Sequence, residues 1–138
     1  MKKKKIMILD DDKELLEELV DVLFSSGYDI FAFSGGRSAL ERVETIMPDI
    51  ILLDLRMEKM SGFQFADRLR AMPAMEKIPV IAMSGYFRDD EHSTTMKICG
   101  IDHFIDKPFD PADMINKIEE VLKKGALNEK SATRKKEG

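Results

Sequence analysis

The sequence predicts an α/β protein with a doubly wound parallel sheet. Short apolar runs of strand length alternate five times with stretches whose apolar residues recur at helical spacing. Short connections between alternating strands and helices are typical of right-handed crossovers and a parallel sheet. The 138 residues suffice for one domain, and five strand-helix units are too few to close an eight-stranded barrel.

The first unit starts at the basic N-terminal end of the chain. Residues 4–9 lead from lysines into an apolar run and are predicted to form a strand. Asp12 is placed to cap a helix over 13–25, whose leucines and valines recur on one face. Gly27 is predicted to end that helix. Residues 28–33 alternate weakly, are rich in aromatic side chains and are predicted to form the second strand.

The middle of the chain contains the most apolar strand. A turn at 34–36 leads into a second helix, which Pro48 ends. Residues 50–54 read Ile-Ile-Leu-Leu-Asp, and such a run is typical of a strand that is buried on both faces. Ser61 is predicted to cap the third helix, which stops before Pro73.

The last two units are weaker in pattern but clear in order. Residues 80–83 predict the fourth strand, and a polar helix over about 89–98 follows it. Residues 101–105 predict the fifth strand. Asp110-Pro111 is a strong start signal for the final helix, which Gly125 is predicted to end. Together the elements predict a flavodoxin-like (βα)5 domain with the strand order 2-1-3-4-5.

Composition and charge narrow the functional classes. Residues 6–122 carry 12 basic and 24 acidic side chains, which argues against nucleic-acid binding by this domain. No apolar run approaches the length of a membrane span. The single cysteine, Cys99, excludes an internal disulfide and fits a reducing cytoplasm. Residues 1–125 are predicted to be the domain, and 126–138 a flexible basic tail or a truncated linker.

Polar side chains follow four of the five predicted strands. They are Asp10 and Asp11 after the first strand, Asp54 at the end of the third, Ser84 after the fourth and Lys107 after the fifth. The assumed strand order brings these four ends side by side, at the edge of the sheet where ligands bind in open α/β folds. Each residue alone has an ordinary explanation as a helix cap, a turn residue or a surface lysine. We therefore base the site prediction on the joint pattern.

The joint pattern suits phosphoryl transfer. Three clustered carboxylates repel one another unless a cation lies among them, and Mg²⁺ prefers such oxygen ligands. Asp54 would be ionised near pH 7 and could attack a phosphorus atom, as carboxylates do in aspartyl-phosphate enzymes. The ammonium of Lys107 and the hydroxyl of Ser84 would offset charge on the transferred group.

Four motifs together resemble the response-regulator receiver domain of two-component signalling. They are Ile-Leu-Asp10-Asp11-Asp12, Leu-Leu-Asp54-Leu-Arg56-Met57, Ala-Met-Ser84-Gly85 and Asp106-Lys107-Pro108-Phe109. The resemblance covers about residues 4–124, and the chain is similar to receivers of the single-domain, chemotaxis-regulator type. It implies a phosphoacceptor switch that assists its own phosphorylation and dephosphorylation but turns over no external substrate.

The resemblance also implies a role for each site residue. Asp54 would be the phosphoacceptor, Ser84 the switch hydroxyl, Lys107 the counter-charge to the phosphoryl group and Phe104 the switch aromatic residue. The Mg²⁺ ligands, with Mn²⁺ as an alternative ion, would be Asp11 directly, Asp10 through water, Asp54, and the backbone carbonyl of Arg56. The bond from Lys107 to Pro108 is often cis in this family.

The implied partners follow from the same resemblance. A sensor histidine kinase or a histidine phosphotransfer protein would donate the phosphoryl group. The surface of the fourth helix, fifth strand and fifth helix would then change its affinity for an output partner, or form a homodimer. No partner nucleic acid or membrane is expected for this domain.

The sequence departs from the family pattern next to two of the site residues. Glu58-Lys59 stands where Pro-Gly is common, and Gly85 stands where Ala is common. We expect the first change to loosen the loop after Asp54 and the second to make its turn more mobile. Arg56 and Tyr86 occupy positions that tune the phosphoryl lifetime in the family.

Three other classes of protein were weighed. A haloacid-dehalogenase-type phosphatase would use Asp10-x-Asp12, but the chain has no room for a cap domain. A flavodoxin would need a Ser/Thr/Gly-rich phosphate loop where this chain has three aspartates. A degenerate receiver that only binds partners would not need the full set of site residues.

Overall fold

The computed structural model describes the backbone of residues 2–85 and 90–137, and the side chains of residues 2–85 and 94–125. The elements, in chain order, are β1 (Lys5–Leu9), α1 (Lys13–Ser25), β2 (Asp29–Phe33), α2 (Gly36–Ile46), β3 (Ile50–Asp54), α3 (Gly62–Arg70), a 3₁₀ turn (Pro73–Met75), β4 (Val80–Ser84), α4 (Asp90–Ile98), β5 (His103–Asp106) and α5 (Pro111–Glu137). The strands form one parallel sheet in the order β2-β1-β3-β4-β5. The predicted fold and strand order are therefore confirmed.

The alternation of side chains along β1 and β3 divides the core into two layers. Met7 and Leu9 on β1 pack with α2 and α3 on one face of the sheet. Ile6 and Ile8 point to the other face and pack with α1 and α5. Every residue of β3 is buried, as its continuous apolar run predicts for a strand covered on both sides. Both layers therefore pack against β1 and β3, which are interior strands of the sheet.

Helix starts follow the predicted capping residues. The carboxylate of Asp12 accepts hydrogen bonds from the amides of Glu14 and Leu15 at the start of α1. Ser61 and Gln64 form a reciprocal capping box at the start of α3. Because the loops before these helices carry the candidate site residues, the caps also fix the ends of those loops.

The end predicted for α5 is wrong. The helix continues through Gly125 to Glu137. Glycine weakens a helix interior by only about 1 kcal/mol, and Ala, Leu, Glu and Lys, which are good helix formers, dominate the residues that follow. The prediction that 126–138 is a tail or linker concerns its role and stays a prediction.

The start predicted for β5 is also wrong by two residues. Gly100 has a φ of +72°, and the amide of Ile101 donates to the carbonyl of Met96 at 2.8 Å. This bond closes the end of α4 and uses the amide that would otherwise start the strand. The first strand residue is therefore His103.

Arg70 links three segments at the edge of the sheet where the strands begin. Its guanidinium donates to the carbonyls of Met75 at 2.8 Å, Glu76 at 3.1 Å and Gly100 at 2.7 Å. Burial lowers the pKa of this guanidinium, and the nearby carboxylate of Asp102 partly offsets that effect. Arg70 thus joins the end of α3 to the segment between α4 and β5. Within the described part of the chain, no helix is long and apolar enough to cross a lipid bilayer.

Candidate functional site

The carboxyl ends of β1, β3, β4 and β5 lie next to one another and bring the predicted side chains together. Asp54 pairs in register with Met83, and Ser84 pairs with Asp106. Asp10 follows β1 directly, and Lys107 follows β5. This convergence results from the strand order, because β1 lies beside β3 although the two are separated by β2 in the chain.

Lys107 reaches two of the carboxylates. Its Nζ lies 2.7 Å from Asp10 Oδ2 and 3.6 Å from Asp54 Oδ1. Asp10 is fully buried and Asp54 is 4% exposed, so water screens their negative charge poorly. An ammonium at this position compensates the buried charges and holds the two loops that carry them.

Asp10, Asp11 and Asp54 form a compact cluster of oxygen atoms. One carboxylate oxygen from each lies within 4.8 Å of the others. Each carboxylate also accepts a hydrogen bond from a main-chain amide. The pairs are Asp12 N to Asp10 Oδ1 at 3.0 Å, Arg56 N to Asp54 Oδ1 at 3.2 Å, and Glu58 N to Asp11 Oδ2 at 3.2 Å.

The surroundings of Asp54 disfavour its charged form. Its pKa is raised from 3.8 to about 6, chiefly because the carboxylate is buried and also because of the nearby charges of Asp10 and Asp11. The Arg56 amide and the Lys107 ammonium act in the opposite direction and do not fully compensate. A positive ion among the carboxylates would favour the charged form.

A cavity of about 720 Å³ opens above the cluster. Asp54, Ser84 and Lys107 lie in its wall, so a small phosphate compound can reach all three. The rim also contains residues that the sequence interpretation did not assign to the site: Glu14, Leu15, Glu18, Pro108 and Phe109. Pro108 and Phe109 belong to the quoted motif around Lys107. The position of Glu14, Leu15 and Glu18 at the start of α1 follows from the fold and has no local sequence signal.

Ser84 lines this cavity at the end of β4. It is 2% exposed, and its carbonyl accepts a hydrogen bond from the amide of Lys107 at 3.1 Å. A side chain at Gly85 would approach the carbonyl of Lys107 to 3.1 Å, which is a tight contact. The absence of a side chain at Gly85 therefore leaves room for this approach between β4 and β5. The bond from Lys107 to Pro108 is cis.

Phe104 lies on β5, where it pairs in register with Ala82. It is half-buried and packs against the core layer that contains Ile101. Together with Met96 it lines a separate cavity of about 180 Å³. Tyr86, which the sequence assigns to tuning, lies outside the described residues.

The loop after Asp54 has a tight local geometry at the two residues that depart from the family pattern. Lys59 has a φ of +64°, in the left-handed region that favours glycine. The amide of Met60 donates to the carbonyl of Glu58 at 2.7 Å, which closes a narrow turn around Lys59. Lysine thus adopts the backbone conformation for which glycine is the usual residue. The predicted effect of these two residues on the mobility of the loop is not tested by this geometry.

Comparisons with known proteins identify the family of this chain. The family model "Response regulator receiver domain" matches residues 6–119. The chain therefore belongs to the response-regulator receiver domain family. Receiver domains of this family act in two-component signalling, as the motifs at the strand ends predict.

Two bacterial relatives match this chain over most of its length. The alkaline phosphatase synthesis transcriptional regulatory protein PhoP of Bacillus subtilis is 30% identical over 125 residues, which are 90% of this chain and 50% of that protein. The sensory transduction protein RegX3 of Mycolicibacterium smegmatis is 32% identical over 125 residues, 90% of this chain and 53% of that protein. The chain thus spans about half the length of these relatives.

Two solved structures show the same fold. A CheY-like receiver domain protein from Methanospirillum hungatei has a TM-score of 0.84 at 24% identity, covering 92% of this chain and 99% of that one. The chemotaxis protein CheY4 of Vibrio cholerae has a TM-score of 0.83 at 23% identity, covering 87% and 99%. At these identities the likeness supports the fold.

Proposed function

We propose that this receiver domain accepts a phosphoryl group on Asp54. The observation that carries the proposal is the position of Asp54 between two further carboxylates and the ammonium of Lys107, at the wall of an open cavity. Phosphoryl transfer depends mainly on positioning and charge compensation. The cluster offers both around one nucleophilic oxygen.

The residues present fit a divalent cation. Carboxylate oxygens from Asp10, Asp11 and Asp54 lie close enough to share one ion, and they are the hard donors that Mg²⁺ or Mn²⁺ takes. The backbone carbonyl of Arg56 is proposed as a further ligand. When bound, the cation supplies positive charge against the phosphoryl oxygens and the carboxylates.

The protein's own groups then perform the transfer. A carboxylate oxygen of Asp54 attacks the phosphorus of a phosphohistidine, a new P–O bond forms, and the P–N bond to the donor imidazole breaks. The electron pair of the P–N bond goes to the imidazole nitrogen. Lys107, already 3.6 Å from Asp54, would pair with the transferred group, and the Ser84 hydroxyl would donate to one of its oxygens.

The proposed output is a change at the α4-β5-α5 surface. Movement of Ser84 toward the phosphoryl group would shift the end of β4, and the neighbouring strand β5 carries Phe104. Phe104 borders a cavity next to α4, so its side chain has space for an alternative position. The charge on Asp54 would shift the population between two arrangements of this surface. An output partner, or a second copy of this chain, would recognise one of them.

The remaining assignments belong to the same proposal. Residues 1–125 are the switch, and 126–138 are a tail or linker. The phosphodonor is a sensor histidine kinase or a phosphotransfer protein, and the reaction takes place in the cytoplasm. The domain assists its own phosphorylation and dephosphorylation and converts no external substrate.

A small phosphodonor tests this proposal. After incubation with acetyl phosphate and Mg²⁺, the intact mass should rise by one phosphoryl group. Asp54→Asn should abolish the gain, whereas Asp49→Asn, at the opposite end of β3, should keep it. Absence of a gain in the unaltered protein would leave a domain that only binds partners.

A further inference from the structure

Asp11 differs from the other two clustered carboxylates in its surroundings. Asp10 and Asp54 are buried, and the packing of the sheet restrains them. Asp11 is exposed on the loop between β1 and α1. An exposed carboxylate has rotamer freedom that binding a cation would remove, at a cost in free energy.

The amide of Glu58 restrains this exposed side chain. It donates to Asp11 Oδ2 at 3.2 Å across 47 positions of the sequence. The other two main-chain donors of the cluster bind a carboxylate only two positions away. The Glu58 bond alone among the three therefore joins the loop after β1 to the loop after β3.

The turn at Lys59 fixes the loop that presents this amide. The left-handed backbone of Lys59 and the bond from Met60 N to Glu58 O at 2.7 Å close the chain tightly just after Glu58. An ionised carboxylate has about four lone-pair directions. The Glu58 amide occupies one of them and leaves the others for a metal ion.

We propose that the main-chain amide of Glu58 is a positioning group that holds Asp11 ready to bind a divalent cation. The inference rests on the proposed function, which supplies the cation. The group acts through Asp11 and touches neither metal nor phosphate. Hydrogen bonds to metal-ligating side chains of this kind contribute about 10- to 100-fold to metal affinity.

Two substitutions of Glu58 separate the effect of its main-chain amide from the effect of its side chain. Glu58→Pro and Glu58→Gln both remove the negative charge, but only proline lacks the N–H. Proline is common at this position in the family, so we expect the variant to fold. Calorimetric titration with Mg²⁺ at fixed pH should show affinity at least about tenfold weaker for Glu58→Pro than for Glu58→Gln. Equal affinities would overturn the proposal.

A double-mutant cycle tests whether the effect passes through Asp11. In an Asp11→Ala background, Glu58→Pro and Glu58→Gln should bind Mg²⁺ equally weakly, because the acceptor is gone. A difference that persists there would contradict the positioning role. Lys59→Gly keeps the amide, and glycine readily adopts the same left-handed backbone, so this variant should retain the affinity of the unaltered protein. A loss as large as that of Glu58→Pro would assign the effect to loop shape and overturn the proposal.

The two proposals fail in different ways. If the unaltered protein gains a phosphoryl group and binds Mg²⁺, while the proline and glutamine variants bind it equally, only the role of the Glu58 amide is rejected. If the unaltered protein shows no saturable Mg²⁺ binding, the metal part of the proposed function is rejected and the Glu58 inference is rejected with it.

Discussion

The raised pKa of Asp54 predicts that replacing this residue stabilises the metal-free protein. Asn has nearly the same shape as Asp and keeps an oxygen that can accept from the Arg56 amide. It removes the charge that burial and Asp10 disfavour. Lys107 keeps its closer partner, Asp10 Oδ2, at 2.7 Å. Asp54→Asn should therefore remove electrostatic strain without opening a cavity.

The size and sign of the effect follow from proton linkage. Between pH 3.8 and about pH 6 the folded state binds more protons at Asp54 than the unfolded state does. The stability that the raised pKa of Asp54 gives to the folded state is thus fully present below about pH 4 and is lost as the pH rises through about 6. At roughly 1.36 kcal/mol per pKa unit, the loss at pH 7 is at most about 3 kcal/mol. Asp54→Asn escapes this loss.

Urea unfolding in the presence of a chelator measures the difference. At pH 7.5 the Asn variant should be more stable by about 2 to 3 kcal/mol, and at pH 4 the two proteins should be nearly equal. Asp21→Asn, an exposed change on α1, should stay within about 0.5 kcal/mol at both pH values. An Asn variant that is no more stable at pH 7.5, or a gain independent of pH, would refute the reasoning.

Two further predictions concern backbone conformation and the Arg70 link. Lys59→Gly should raise the free energy of unfolding by up to about 1 kcal/mol, because the left-handed backbone penalises lysine more than the flexibility of glycine costs. As a control, Gly27→Ala, at a φ of +95°, should lower the free energy of unfolding. No gain for Lys59→Gly would argue against strain at this turn. Arg70→Met should cost about 2 to 3 kcal/mol in urea unfolding, because three carbonyls lose a charged donor. Arg68→Met, an exposed change on the same helix, should cost less than about 0.5 kcal/mol, and equal losses for the two would contradict the link.

Strong local signals allowed most of the fold to be predicted. The bounds of β3 were correct because its apolar run starts and ends sharply. The end of α5 was wrong because one glycine is too weak a stop against good helix formers. The start of β5 was wrong because the bond from Ile101 to Met96 depends on how α4 ends.

Only the contacts of the candidate site that follow from the strand order could be predicted from the sequence. Asp10, Asp54 and Lys107 meet because parallel strands end at one edge, and the strand order could be inferred. The bond from the Glu58 amide to Asp11 could not be inferred, since Glu58 stood out only as a departure from a common proline. Such a contact between two loops has no periodic or motif signal in the sequence.

The central claim is that Asp54 carries the phosphoryl group, and chemical location of that group tests it most directly. After reaction with acetyl phosphate and Mg²⁺, borohydride reduces an aspartyl phosphate to an alcohol, and peptide mass mapping then locates the altered residue. We predict one reduced residue, at position 54. When a chelator is present throughout the reaction with acetyl phosphate, no reduced residue should form. Reduction at another aspartate, or a phosphoryl group that stays on a different residue, would contradict the account.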